Sequence, residues 1–112
     1  MKFMLLLHRD ESLPQPDTSQ NDFAAFNDAM IKAGAAIGGA RLRPVDAATT
    51  IRVHDGRTQV LDGPYAETRE QLAGYYLIEA ADLDAATEWA ARCPAATIGA
   101  VEIRPLWQAP SA

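Results

Sequence analysis

The sequence predicts an α+β fold of the ferredoxin-like kind, a split β-α-β protomer with an inserted β-hairpin. Segments with strand character and two segments of helical periodicity follow the order strand, helix, strand, hairpin, strand, helix, strand. The dipeptide Asp55-Gly56 between two alternating segments marks the hairpin turn. The 112 residues, 48% apolar and 22% charged, have the length and balance of one globular domain, which we expect to span residues 1–112.

The first strand and the first helix come from the N-terminal third of the chain. Phe3–Leu7 is an unbroken apolar run, which is typical of a strand covered on both faces. Ser19 with Asp22 three residues later resembles a capping box and predicts the start of a helix. We expect the helix to end at Gly34 or at Gly38-Gly39. Its predicted apolar stripe consists of Phe23, Phe26, Met30, Ala33 and Ile37.

The second strand and the hairpin follow. Ala40–Arg43 is the second predicted strand, and Thr49–His54 alternates like a half-buried strand. A two-residue type I′ turn at Asp55-Gly56 would place Ile51 opposite Val60, so that this apolar pair shares one face of the hairpin.

The C-terminal half supplies the remaining elements. Ala66–Gln71 resembles a short helical turn, and Leu72–Ala80 reads as a strand with large apolar side chains on both faces. Asp82 or Asp84 can cap a second helix. Ala100–Arg104 is the last predicted strand. Two helices cover only one face of such a sheet, so we expect a homodimer in which a second subunit covers the other face and closes a cleft.

Composition excludes several classes of function. Ten Lys and Arg residues against fifteen Asp and Glu give a formal charge of -5 without a basic run, which disfavours nucleic-acid binding. Cys93 is the single cysteine, so no intrachain disulfide is possible and a reducing compartment fits. The opening apolar run is too short for a signal peptide, and no stretch approaches the roughly 20 apolar residues of a membrane span. We expect a cytoplasmic protein without a metal or cofactor.

Residues 62–79, DGPYAETREQLAGYYLIE, resemble the signature of the DGPF branch of the YCII-related protein family. The resemblance covers nearly the whole chain apart from the loop around Pro14. It implies a dimeric α+β barrel and a small bacterial protein, often encoded near, or fused to, extracytoplasmic-function sigma factors, without an assigned reaction. The acid-base pair suspected in that family, a helix His and an Asp before a Pro, has no counterpart here. No histidine lies between Arg9 and Val53, and Cys93 precedes Pro94.

Seven side chains are candidates for ligand binding in the cleft, and three of them, Asp62, Glu67 and His8, are also candidates for catalysis. Gly63-Pro64 could present Asp62 at the cleft mouth, although an ordinary turn has the same composition. Histidine titrates near neutral pH and suits proton transfer. Arginine offers two parallel donors to a carboxylate or phosphate, although an intersubunit ion pair would use the same groups. The full set is His8, Arg43, Asp62, Tyr65, Glu67, Glu70 and Tyr75.

The carboxylates and tyrosines of this set have alternative roles. Glu67 and Glu70 lie three residues apart and would share one side of a helical turn, where paired carboxylates raise one pKa; a solvated helix end looks the same. Tyr65 and Tyr75 suit a pocket wall or ordinary packing. His54 beside Asp55 is expected at the surface, and Cys93 is expected to be buried.

Three functions remain open at this level. The first is binding of a small organic molecule in the cleft, with acid-base chemistry. The second, which rests on the resemblance, is an interaction module that contacts a sigma factor. The third is a reaction like that of the cofactor-independent monooxygenases, which rests on fold analogy alone.

Overall fold

The structure, a computed structural model, describes residues 1–17 and 19–108. Six strands and three α-helices lie in that part of the chain, with a single 3₁₀ turn at Val45–Ala47. In chain order the elements are β1 (Lys2–Arg9), α1 (Ser19–Lys32), β2 (Ala36–Arg41), β3 (Thr49–His54), β4 (Arg57–Asp62), β5 (Gln71–Glu79), α2 (Leu83–Arg92), α3 (Ala95–Ile98) and β6 (Ala100–Pro105).

Four strands form one antiparallel sheet in the order β2-β5-β1-β6, and β3 pairs with β4 in a separate two-stranded sheet. Each helix connects a strand to the strand two places away, so the chain returns over the same face of the sheet. The architecture is α+β with antiparallel sheets, as predicted, and it is consistent with a ferredoxin-like fold.

The core lies between the sheet and the two longer helices. Alternate residues of β1 point toward the helices, and Phe3 and Leu5 have no exposed surface. The ring of Phe26 from α1 meets the rings of Tyr76 and Trp89 edge-on, with centroids 5.5 and 6.1 Å apart. The remaining buried core residues are Leu7, Met30, Ala35, Ile78, Ala80, Ala86, Ala90, Cys93 and Ala95.

The opposite face of the sheet carries apolar side chains that no helix covers. Met4, Leu6, Tyr75 and Leu77 are cross-strand neighbours on this face, and each is partly exposed. We call these four residues the open face. The apolar run of β1 predicts a strand covered on both faces. Within one chain, only the face toward the helices is covered.

The hairpin has the predicted turn and register but not the predicted burial. Asp55 and Gly56 have φ angles of 51° and 73°, as a type I′ turn requires, and Ile51 pairs with Val60. Val60 is 63% exposed and Ile51 is 54% exposed. The prediction that β3 is half-buried is therefore wrong for the single chain. The hairpin projects from the sheet, and the radius of gyration is 16.2 Å, against about 13 Å for a compact chain of this length.

Of the two predicted ends of α1, the one at Gly34 is confirmed and the one at Gly38-Gly39 is wrong. The helix ends at Lys32, and Gly34 adopts φ 72°, so Ile37 belongs to β2 rather than to the helical stripe. β2 begins at Ala36, four residues before the predicted start. Gly39 serves close strand packing and not a turn, because a Cβ there would lie 2.6 Å from the carbonyl oxygen of Tyr75.

The predicted helical turn at Ala66–Gln71 does not form. Residues 66–70 are an irregular loop, and Gln71 begins β5. Side chains bond to the backbone in place of a helical ladder. The Thr68 hydroxyl donates to the Glu70 carbonyl at 2.7 Å, and the Gln71 amide donates to the Thr68 carbonyl at 2.8 Å.

The helix ends follow the predicted chemistry with small shifts. The carboxylate of Asp82 accepts the backbone N–H of Ala85 at 2.9 Å and caps α2. Ser19 is the first residue of α1 rather than its cap, and the preceding residue lies outside the described part. Pro94 follows the C-cap of α2 and caps the short α3, which was not predicted from the sequence.

Candidate functional site

A cleft of about 670 Å³ lies between the end of β1, the segment that follows β2, and the loop between β4 and β5. Four of the seven predicted site residues line it: His8, Arg43, Tyr65 and Glu70. They come from three separate segments, and the antiparallel pairing of β1 with β5 brings these segments together.

His8 is paired with a carboxylate that the sequence analysis did not select. Its Nε2 lies 3.1 Å from Oε1 of Glu102 on the neighbouring strand β6, and the two side chains are 27% and 50% exposed. Glu102 also approaches Arg104, with 4.0 Å between Oε2 and Nε. Because an ionised carboxylate only accepts hydrogen bonds, a hydrogen bond across this distance requires a neutral His8 ring to carry its proton on Nε2. In the sequence, Glu102 is recognisable only as a polar residue between Val101 and Ile103. Its proximity to His8 follows from the pairing of β1 with β6, which the sequence does not show.

Arg43 supplies the positive charge of the cleft. It lies two residues beyond β2, is exposed, and makes no ion pair with any carboxylate in the described part of the chain. An arginine without an acidic partner at the wall of a cleft is available to bind a carboxylate or phosphate group.

Tyr65 and the Gly63-Pro64 turn form the opposite wall. The turn is held to the hairpin, since the Gly63 N–H donates to the Ala48 carbonyl and the Thr50 hydroxyl donates to the Gly63 carbonyl, both at 2.8 Å. Tyr65 is 76% exposed, and the guanidinium of Arg52 lies 4.9 Å from its ring centroid. The turn therefore places an aromatic face and a second cation near the cleft.

The other three predicted residues lie elsewhere. Asp62 is the last residue of β4 opposite Thr49, and Glu67 is exposed in the loop; neither lines the cleft. Glu67 and Glu70 do not form the predicted helical pair, because their segment is not helical. Tyr75 lies on the open face and lines a larger cavity, described below.

Outside the cleft, the pKa values of Asp10 and Cys93 are shifted. Hydrogen bonds from the side chain and backbone N–H of Ser12 hold the pKa of Asp10 below its usual value, and Arg69 adds to the effect, with 3.6 Å between Nε and the carboxylate. Burial raises the pKa of the Cys93 thiol. Cys93 is therefore the buried, unreactive cysteine that the sequence predicts.

The arrangement suits binding of an anionic group and proton transfer. Arg43 can hold the anion, Tyr65 can contact an apolar part, and His8 can exchange a proton. Among residues 1–17 and 19–108, no three His, Cys, Asp or Glu side chains cluster closely enough to hold a metal ion. None of the helices described has the length and apolar character needed to cross a membrane.

The sequence of this chain is similar to a protein family and to a protein of known sequence. The model of the YCII-related domain matches residues 1–110. An uncharacterised protein of Rhizobium meliloti (strain 1021) is 39% identical over 114 aligned residues, which cover 95% of this chain and 92% of that protein. The chain therefore belongs to the YCII-related family.

Proposed function

We propose that this YCII-related protein binds a small organic molecule with an acidic group in the cleft and that His8 exchanges a proton with it. One observation carries the proposal: His8, 3.1 Å from Glu102, lines the cleft together with Arg43, which forms no ion pair with a carboxylate of the described residues. A positioned base and an unpaired cation that line one cleft are the parts that proton transfer on a bound acid requires.

Glu102 has a specific role in this proposal. A carboxylate bonded to one ring nitrogen of histidine selects the tautomer and orients the ring, so Nδ1 of His8 becomes the basic atom. The carboxylate also stabilises the imidazolium that forms when His8 accepts a proton. Arg104, 4.0 Å from the other oxygen of Glu102, helps to hold the carboxylate in place.

A homodimer belongs to the same proposal. Met4, Leu6, Tyr75 and Leu77 form an apolar sheet face that is only partly covered within one chain, and a second subunit is the simplest cover. Such a dimer would be the dimeric α+β barrel that the resemblance implies. We also place the chain, as one domain, in the DGPF branch and expect it in the bacterial cytoplasm, on the strength of the Asp62–Tyr65 motif and the single cysteine.

Ligand titrations monitored by amide NMR shifts test the cleft. A panel of small carboxylates and phosphate esters is expected to perturb amides around His8, Arg43 and Tyr65. Arg43→Gln should weaken the best binder about fivefold, since it removes one charged hydrogen-bonding partner at an exposed site. His54→Gln is the matched control, because His54 also pairs with a carboxylate, at 3.3 Å, but lies at the hairpin tip outside the cleft.

The proton-transfer step has its own readout. Two-dimensional ¹⁵N spectra of histidine rings identify the protonated nitrogen directly. His8 should hold its proton on Nε2, and Glu102→Ala should produce a mixture of tautomers while His54 stays unchanged. A ring of His8 that carries its proton on Nδ1 in the unmutated protein would refute the role given to Glu102.

Native mass spectrometry tests the dimer and detects any retained ligand at the same time. The expected result is twice the mass of the chain at micromolar concentration. A monomer that persists at 100-fold higher concentration would contradict the argument from the open face.

A further inference from the structure

A second cavity, larger than the cleft, lies between α1 and the edge strand β2, and Tyr75 of the open face also borders it. Its volume is about 1120 Å³, close to the upper end of the roughly 300–1,000 Å³ typical of small-molecule sites. It is distinct from the cleft, although His8, Leu42 and Pro44 border both spaces. Two of the site candidates chosen from sequence, His8 and Tyr75, line it, but the sequence did not indicate a cavity beneath the helix.

Small residues account for the cavity. β2 lines the space with all six of its residues, and four of them, Ala36, Gly38, Gly39 and Ala40, are small and fill little of the volume beneath α1. All six residues of β2 are exposed although the helix runs alongside. In a closed core, close packing would bury the side of this strand that faces the helix. The small residues of β2 therefore leave a space that is open to solvent along the strand.

The inner wall of the cavity is apolar and includes the partly buried phenol of Tyr76. Phe23 and Met30 from α1 contribute apolar surface, and Tyr76 from β5 contributes its ring. Removal from water raises the pKa of Tyr76 to about 12, and the side chain of Asn27 hydrogen-bonds to its phenol. The phenol is thus neutral across the physiological range.

The mouth of the cavity carries net positive charge. A guanidinium nitrogen of Arg41 donates to the side-chain oxygen of Gln15 at 3.4 Å, and no carboxylate in the described chain forms an ion pair with Arg41. Arg9 donates to the Leu13 carbonyl at 2.7 Å. The acidic Glu11 is already engaged, since both of its carboxylate oxygens accept the Val45 N–H, at 3.2 and 3.3 Å.

We propose that this cavity is a second ligand site, which binds an amphipathic organic acid with its apolar body against Phe23, Met30 and Tyr76 and its carboxylate on Arg41. The charge at the mouth and the apolar wall complement the two ends of such a molecule. The site is independent of the cleft, because Arg41 lines only the cavity and Arg43 lines only the cleft.

Decanoate is the probe, with decanol as its uncharged counterpart, both titrated calorimetrically below the concentration at which decanoate forms micelles. We expect decanoate to bind at least fivefold more tightly than decanol. Arg41→Gln should weaken decanoate about fivefold and leave decanol unchanged, since the variant removes one charged hydrogen-bonding partner. Arg57→Gln, at the hairpin tip and outside both the cavity and the cleft, should bind decanoate like the unmutated protein.

A matched pair of variants on α1 tests the location. Ala24 and Ala25 are both exposed, but only Ala24 lines the cavity. Ala24→Trp should reduce decanoate affinity at least tenfold, whereas Ala25→Trp should not change it. Equal binding by both tryptophan variants, absence of decanoate binding at 1 mM, or equal affinity in Arg41→Gln and Arg57→Gln would each overturn the proposal. None of these results concerns the tautomer of His8, so the two proposals fail separately.

Discussion

The four-stranded sheet and the β3–β4 hairpin both carry apolar residues at every second position of their strands, on one face, but differ in what covers that face. In the sheet, Phe3, Leu5 and Ile78 are fully buried beneath the helices. In the hairpin, Val53 is 67% exposed, and Val60 on the same face is 63% exposed. Alternation therefore determines which side chains share a face, whereas burial depends on whether another element reaches that face. A two-stranded hairpin alone is only marginally stable in water.

The largest expected effect separates these two regions directly. Leu5→Ala should lower the free energy of unfolding by about 2–5 kcal/mol, because it leaves a cavity in the closed core. Ile51→Ala in the hairpin should change it by less than about 0.5 kcal/mol, as for an exposed position. Urea unfolding at low micromolar protein measures both.

The hairpin variant also shows whether a second copy covers that region. A cost for Ile51→Ala above about 1 kcal/mol that increases with protein concentration would show that an intermolecular contact buries the hairpin. The contrast between the two regions would then hold only for the isolated chain.

The next largest effect concerns two adjacent glycines of β2. Gly39→Ala should cost about 1–3 kcal/mol, because its Cβ would approach the Tyr75 carbonyl oxygen to 2.6 Å and Cδ1 of Tyr76 to 2.9 Å. Gly38→Ala is the control, since no atom lies within 4 Å of a Cβ there. Equal losses in thermal or urea unfolding would mean that the strand tolerates a shift away from β5.

These glycines illustrate what sequence reasoning could and could not reach. Periodicity, the Asp55-Gly56 turn and the Asp82 cap were sufficient for the element order and the hairpin register, because each is a local property. The start of β2 was wrong because Gly38-Gly39 was interpreted as a helix stop. The need for glycine at position 39 comes from Tyr75, 36 residues away along the chain.

The candidate site divides in the same way. His8, Arg43, Tyr65 and Glu70 line one cleft of the single chain, whereas the sequence predicted a cleft closed by a second subunit. The pairing of Glu67 with Glu70 depended on a helical turn that does not form. Glu102 was missed because its relation to His8 arises only when β6 pairs with β1. The cavity beneath α1 was missed because the sequence does not show where small residues leave space.

A pH titration compares a sheltered tyrosine with an exposed one. Burial raises the pKa of Tyr76 in the folded state to about 12, above the usual 10, so the neutral phenol stabilises the fold. The free energy of unfolding should therefore be unaffected by this group below pH 10 and should fall between pH 10 and 12, by about 1 kcal/mol after allowance for partial exposure. Tyr76→Phe should flatten this decline, whereas Tyr65→Phe should not. An unchanged decline in Tyr76→Phe would assign it to other groups.

The smallest expected effect is at the hairpin tip. Gly56 has φ 73°, a conformation that a side chain disfavours, so Gly56→Ala strains the turn by about 1 kcal/mol. Because the hairpin contributes little to the core, this strain should open the hairpin locally and leave the urea midpoint nearly unchanged. Hydrogen exchange should accelerate for amides of Thr49–His54 and not for those of β1. Faster exchange in both would indicate that the two regions unfold together.

The bulge in the pairing of β1 with β5 separates the loop of residues 63–70 from the packed part of β5. Leu7 pairs with Gly74 and His8 with Leu72, so Ala73 is an extra residue, and its carbonyl accepts the N–H of Leu42. Residues 71 and 72, which precede the bulge, can shift without changing the register of residues 74–79 with β1. Insertions and deletions in the loop of residues 63–70 should therefore accumulate during evolution without altering the packing of β5. Such variation would diversify ligand preference among relatives while the scaffold stays constant.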